Sequence, residues 1–138
     1  MDADFQALGV EQGRNFEAAA ESILIAFGWS IVERHAVVTG VEIDIVADDP
    51  DGVQWWIECK GSHRGDVPGL RRGDTAKKAV ATAWYLSLQP DARPYMLMTS
   101  HAPKPGSVSD RMLDAALISG IVARLNVLDL EPEREVEE

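Results

Sequence analysis

The sequence predicts an α/β fold: a mixed central β-sheet flanked by helices in the order α-β-β-β-α-β-α-β. Three observations predict it. Apolar residues recur at helical spacing in three separate stretches. Between them lie short runs rich in β-branched and aromatic residues, bounded by Gly, Pro and Asp. The turn signal Asp48-Asp49-Pro50-Asp51-Gly52 joins two such runs into a hairpin. Covering a mixed sheet with helices on both faces is the economical packing of that order.

The first helix spans Gly13 to Phe27, with Phe16, Ala19, Ala20, Ile23, Leu24 and Phe27 on one stripe and Gly28 as its stop. Ser30 to Val38 reads as a strand that turns at Thr39-Gly40. The hairpin follows, Gly40 to Ala47 against Gln54 to Lys60. Gly61 to Gly73 is a Gly-rich basic loop leading into a second helix, from Asp74 or Thr75 to Leu88. Its buried stripe is Ala76, Ala79, Val80, Ala83 and Trp84, which leaves Lys77 and Lys78 on a solvated face. Arg93 to Thr99 is a further strand. Ser107 with Asp110 resembles a capping box and opens a third helix through Met112, Leu113, Ala116 and Leu117 to a stop at Gly120. Ile121 to Leu128 is the last strand, and there is no internal repeat.

A length of 138 residues fits one domain, taken as residues 1–128, followed by an acidic, flexible tail over 129–138. That tail holds six acids against Arg134, a net −5 that is half of the chain's −10. The overall balance argues against a generic nucleic-acid binder, since affinity for phosphates comes from Lys and Arg. Between His63 and Lys78 the balance reverses: Arg64, Arg71, Arg72, Lys77 and Lys78 against Asp66 and Asp74 give +3. These five are the candidate nucleic-acid contacts, with His63 beside them. No apolar run is long enough to span a bilayer, and Met1-Asp2-Ala3-Asp4 lacks the basic-then-apolar order of a signal peptide. The expectation is a soluble, cytoplasmic protein with no membrane partner. A lone cysteine, Cys59, cannot form an internal disulfide and reads as a small buried hydrophobe.

The hairpin carries the chemistry. Centred on Asp51, it sets Asp44 directly opposite Glu58, and alternation puts Glu58 and Lys60 on one face with Ile57 and Cys59 on the other. Two carboxylates and an ammonium then converge. Burying such charges costs several kcal/mol per ion unless they are paired or bind a cation, and a divalent metal resolves the conflict. The alternative is that Glu58 and Lys60 flank a strand end in water, with Asp44 paired to a lysine. Trp55 shares the face of Ile57 and reads as core; Trp56 shares that of Glu58 and either walls the site or packs under the first helix, packing being preferred. Glu42 reads as a solvated strand residue, with an added metal-shell acid as the alternative. His35, His63 and His101 show no ligand spacing, and with one Cys there is no basis for a zinc site.

Asp44 on one strand and Glu58-Cys59-Lys60 on the next resemble the PD-(D/E)xK nuclease superfamily, whose core is α-β-β-β-α-β. Gly13-x-x-Phe16-Glu17 and the Gly-x-x-Asp-hydrophobic form of the first acid are similar to Mrr-type restriction endonucleases. The same opening is similar to archaeal Holliday-junction resolvases, in which a helix-1 glutamate joins the metal site, a place Glu17 would fill. The resemblance implies a Mg²⁺-dependent DNA endonuclease of restriction, repair or recombination type, with Mn²⁺ able to substitute and with Asp44, Glu58, Lys60 and Glu17 as catalytic residues. Asp44, Glu58 and the Cys59 carbonyl would hold the metal. It also implies DNA as partner and a homodimer or larger complex. Competing expectations are a catalytically quiet DNA-binding or assembly subunit of the same fold, and an acidic interaction protein working through its tail.

Overall fold

A computed structural model describes residues 16–61 and 69–128. Helix α1 occupies residues 16–26 of the described chain. It is followed by β1 (Ser30–Val38), β2 (Val41–Asp48), β3 (Gln54–Lys60), a 3₁₀ turn at Gly69–Arg71, α2 (Gly73–Ser87), β4 (Tyr95–Thr99), α3 (Val108–Ser119) and β5 (Arg124–Val127). The order is the one expected from the sequence. The Gly13–Asn15 start of the first helix, Arg64 with most of the basic loop, and the acidic tail lie outside the described residues. Among those described, no helix is long and apolar enough to cross a membrane.

The five strands form one sheet in sequential order, antiparallel through β1-β2-β3 and parallel through β3-β4-β5. The parallel pairs need crossovers, and α2 and α3 supply them. On one face Phe16, Ala20 and Leu24 of α1 pack on Ile45, Ala47, Trp55, Ile57, Met96 and Met98. On the other, Ala76, Ala79, Ala83 and Leu86 of α2 and Leu113 and Ala116 of α3 cover Ile43, Val46, Trp56 and Leu97. Ile43, Ile45, Ile57, Met96 and Met98 are fully buried, each worth roughly 1.5–3 kcal/mol of apolar transfer.

Turn chemistry sets the registers. Thr39 and Gly40 take φ of 46° and 86°, the paired left-handed geometry of a two-residue hairpin between β1 and β2. In the next hairpin Asp49 Oδ1 accepts from the N–H groups of Asp51 and Val53, and Gly52 takes φ 86°. The ladder then pairs Asp48 with Gln54 through Ile45 with Ile57, centred on Asp51 as expected. Helix α1 ends in a Schellman motif: Trp29 N–H donates to the Leu24 carbonyl and Gly28 N–H to that of Ile25. Ser107 caps α3 by accepting from Asp110 N–H, while Asp110 accepts from Gly106 N–H rather than from the cap residue itself.

Three packing expectations are corrected. Phe27 is 74% exposed because the helix stops two residues after Leu24, its last residue to reach the sheet. Trp84 is 53% exposed: the buried stripe of α2 is Ala76, Ala79, Ala83 and Leu86, which displaces Trp84 to its flank. Trp56 packs in the α2–α3 cluster, and Trp55, edge-on to Trp29 at 5.6 Å, lies under α1. The strands β4 and β5 are also shorter at their starts than the sequence suggests, since Arg93 and Pro94 precede the first ladder pair.

Thr99, fully buried at the end of β4, donates to the Lys60 carbonyl at 2.6 Å and to that of His101 at 3.0 Å. Gly69 sits against this knot with φ 59°; a Cβ there would lie 2.6 Å from Thr99 Oγ1 and 3.0 Å from both Lys60 O and His101 N. Gly69→Ala is therefore expected to cost about 1–3 kcal/mol in denaturant unfolding. An unchanged midpoint would show that the end of β3 is not fixed by this contact.

Candidate metal centre

The β1–β2 ladder is irregular at two places, a register shift between Ile31 and Glu33 and, further along, the unpaired His35. The β1–β2 register runs from Glu33 against Val46 to Val38 against Val41, but His35 and Asp44 do not pair. His35 has φ 55°, a left-handed backbone inside a strand. Around the same point the alternation of β2 reverses. Val41 and Ile43 face the α2–α3 side, whereas Ile45 and Ala47 face α1. Asp44, at the switch, turns its carboxylate toward β3, where Oδ2 accepts the Cys59 N–H at 2.8 Å. The β2–β3 ladder ends at the Ile45–Ile57 pair, and beyond it Asp44 lies close enough for its charge to act on Glu58.

Glu58 is 12% exposed at its side chain and pairs with Lys60, Nζ to Oε2 at 3.0 Å. From α1, Glu17 approaches His35, Oε1 to Nε2 at 3.3 Å. The other ring nitrogen of His35 lies 2.7 Å from Glu42 Oε2. One ligand atom each from Glu17, His35 and Asp44 lies within 4.8 Å of the others. Asp44 thus links two groups, Glu58–Lys60 on β3 and Glu17–His35 across α1 and β1. Helix α1 contributes because Phe16 and Ala20 bury its sheet-facing stripe and leave Glu17 at the border.

The electrostatics are those of acids short of counterions. Burial, then the charge of Asp44, pushes the Glu58 carboxyl up to about 7 despite the lysine beside it. Burial raises Asp44 as well, against the Cys59 N–H that favours its ionised form. Glu17 rises for the same first reason, with Asp44 second. Burial works against the Lys60 ammonium, but Glu58 and then Asp44 outweigh it and hold its pKa above the ordinary value. For His35 the hydrogen bond to Glu42 dominates and raises the imidazole pKa.

The sequence-predicted residues distribute as follows. Glu17 and Asp44 fall in one close group with His35, and Glu58 pairs with Lys60 outside that group, linked to it through the charge of Asp44. Cys59 gives its N–H to Asp44, while its thiol packs on the α1 side, where burial pushes its pKa well up. Arg71 and Arg72 are exposed at the 3₁₀ turn and the start of α2, with Arg71 Nε donating to the Ala102 carbonyl at 3.1 Å. Lys77 and Lys78 are exposed on α2. The residue that sequence reasoning missed is His35. Chain spacing could not reveal it, because its approach to Glu17 depends on the irregular backbone of β1. Glu42, read as solvated, is exposed but bonded to that histidine.

Two observations test whether a small divalent cation suits these residues. Three carboxylates crowd together with their pKa values raised, the sign of charge that an added cation would neutralise. Tyr95 buries a hydroxyl with no hydrogen-bond partner among the described residues, and the charges of Glu58 and Asp44 act on it. The set fits an oxygen-ligated cation, with one imidazole nitrogen added.

No protein-family model matches this chain, and no curated protein matches it. Among solved structures it is similar to EndoMS in its complex with double-stranded DNA, with a TM-score of 0.52 and 18% identity over 87% of this chain and 46% of that one. A repair endonuclease from Pyrococcus abyssi aligns over 96% of this chain and 48% of its own, with a TM-score of 0.48 and 16% identity. The chain spans less than half the length of either. The likeness to EndoMS is one of fold alone, a mixed five-stranded sheet flanked by helices.

Glu58 also makes the cation-free protein pH-sensitive. The folded state keeps its proton up to about 7, whereas an unfolded glutamate releases it near 4.5. The folded form therefore binds more protons between those values, and stability must fall as pH rises through that window. Denaturant unfolding in chelator should lose up to roughly 3 kcal/mol between about pH 4.5 and pH 8. Glu58→Gln should flatten most of that slope. A wild-type profile that rises over this range would contradict the burial of Glu58.

Proposed function

We propose that this chain is a Mg²⁺-dependent DNA endonuclease that hydrolyses phosphodiester bonds in restriction, repair or recombination, with Mn²⁺ able to replace Mg²⁺. The observation that carries the reading is the convergence of Asp44, Glu58 and Lys60 on adjacent strands, with the acids buried beyond what one lysine offsets. A fold shared with EndoMS, a protein solved on double-stranded DNA, supports it. So does the acid–acid-x-lysine pattern of the PD-(D/E)xK superfamily.

Asp44, Glu58 and the Cys59 carbonyl would hold the cation, with Glu17 completing the acidic wall. A cation held there would supply a water of lowered pKa and positive charge for the phosphate oxygens. Lys60 acts as a cation: held protonated by Glu58 and Asp44, its ammonium orients the attacking water and offsets charge gathering on the phosphate. Thr99 fixes the backbone of Lys60, which places that ammonium relative to Glu58. Arg71, Arg72, Lys77 and Lys78, with Arg64, would hold flanking phosphates, and two copies of the chain would supply contacts to both strands.

Cleavage of supercoiled, linear and four-way-junction DNA with Mg²⁺ or Mn²⁺ tests this reading. Lys60→Ala should lower kcat about 10²–10⁴-fold while DNA affinity stays within about threefold. Asp44→Asn and Glu58→Gln should abolish cleavage. A wild-type chain that binds DNA but leaves all three substrates intact would overturn the proposal.

In salt titrations of DNA binding, Arg71→Ala with Arg72→Ala should reduce the log–log slope by about two. Sequence preference should not change. Full affinity with an unaltered slope would remove these arginines from the interface.

A further inference from the structure

We propose that His35 is a nitrogen ligand of the site's divalent cation, oriented by Glu42, and that it makes the site favour first-row transition ions such as Mn²⁺ and Co²⁺ over Mg²⁺. The proposal deepens the nuclease reading and rests on its metal centre. The geometry carries it. His35 Nε2 faces Glu17 at 3.3 Å, inside the group of Glu17, His35 and Asp44 whose ligand atoms lie within 4.8 Å of one another. The remaining nitrogen, Nδ1, is 2.7 Å from Glu42 Oε2. With Nδ1–H given to Glu42, Nε2 turns its lone pair toward Glu17 and Asp44, the carboxylate–histidine arrangement found behind metal-bound imidazoles.

The backbone points the same way. A histidine with φ 55° within a strand is held in a sparsely populated conformation, and the missing His35–Asp44 pair costs the β1–β2 ladder one of its rungs. A histidine needed only to pair with Glu42 could do so from a regular strand. The distortion brings the ring to the acid that also takes the Cys59 N–H. At 51% side-chain exposure, His35 also lies on the side open to solvent, where an ion can enter.

Ligand chemistry gives the selectivity. Mg²⁺ prefers oxygen and water in a strict octahedron, whereas imidazole raises affinity for transition ions along the Mn²⁺-to-Co²⁺ direction. An all-carboxylate site would bind Mg²⁺ and Mn²⁺ with less discrimination. Replacing one oxygen by Nε2 tilts the balance.

The test compares the wild-type chain with His35→Asn, Glu42→Gln and Asp44→Asn. Asparagine tolerates the left-handed backbone, so the first variant removes the imidazole and spares the turn. Calorimetry should show His35→Asn weakening Co²⁺ and Mn²⁺ at least about tenfold while Mg²⁺ changes less than about threefold; Glu42→Gln should weaken Mn²⁺ about tenfold. Asp44→Asn should weaken all three ions. Spin-echo spectra of Mn²⁺-loaded wild-type protein should show a ¹⁴N coupling that His35→Asn removes. Equal affinities in wild type and His35→Asn, or a coupling that survives the substitution, would reduce His35 to an ion-pair partner and leave the metal centre standing. A wild-type chain that binds none of the three ions would overturn the metal centre and this inference together.

Discussion

Asp44 beside Glu58 is the interaction on which the arrangement depends. Two carboxylates brought together in a half-buried place repel each other and lose water, and one ammonium does not cover both. The fold answers with backbone. The Cys59 N–H is withdrawn from the ladder and given to Asp44, and the Lys60 carbonyl is pinned by Thr99 so that its side chain stays beside Glu58. What remains uncompensated appears as raised carboxyl pKa values. A sheet under selection for stability alone would place apolar residues here, as it does one step along the ladder, where Ile45 pairs with Ile57.

Much of this was legible in the sequence because strand pairing with a tight turn has a short list of solutions. Asp49, Asp51 and Gly52 specify a loop whose closure fixes the register, and the register fixes which acid faces which. Helix ends were equally readable, since Gly28 and Gly120 adopt the left-handed conformation that stops a helix. The misses share a different cause. Whether Phe27 or Trp84 is buried depends on where a helix runs out over the sheet and how closely its alanines let it approach, neither of which is a local property. His35 escaped because ligand-spacing rules assume regular elements, and its backbone is irregular. The fold and the acid pair follow from local pattern; the second half of the cluster follows from a defect in that pattern.

Topology then gathers the parts at one end of the sheet. Strands β3, β4 and β5 run parallel, so Lys60, Thr99 and Val127 fall at the same carboxyl edge. In open α/β sheets that edge is where crossover loops leave room for a ligand. Here the loop after β3 returns as the 3₁₀ turn, tied down by Leu70 N–H on the His101 carbonyl and by Arg71 on Ala102. Because β4 ends beside β3, those ties hold the start of the basic helix at the edge that carries Lys60. A turn docked elsewhere would take Arg71 and Arg72, which precede α2, away from that edge.

The chain's net charge of −10 is compatible with this placement because the field that a phosphate meets is set locally. Within a Debye length, about 10 Å at 0.1 M salt, a phosphate at the β3–β4 edge would feel Lys60, Arg71 and Arg72 before it feels distant acids. The site's own acids, Asp44, Glu58 and Glu17, would repel a phosphate when ionised unless a cation lay between. On the proposed nuclease reading, nucleic acid and divalent ion would bind cooperatively: the ion would remove the repulsion, and the phosphate would supply oxygens the protein does not. A cluster with too few counterions would in this sense be completed by both, and without them its buried acids cost the fold stability as pH rises through the range in which Glu58 ionises.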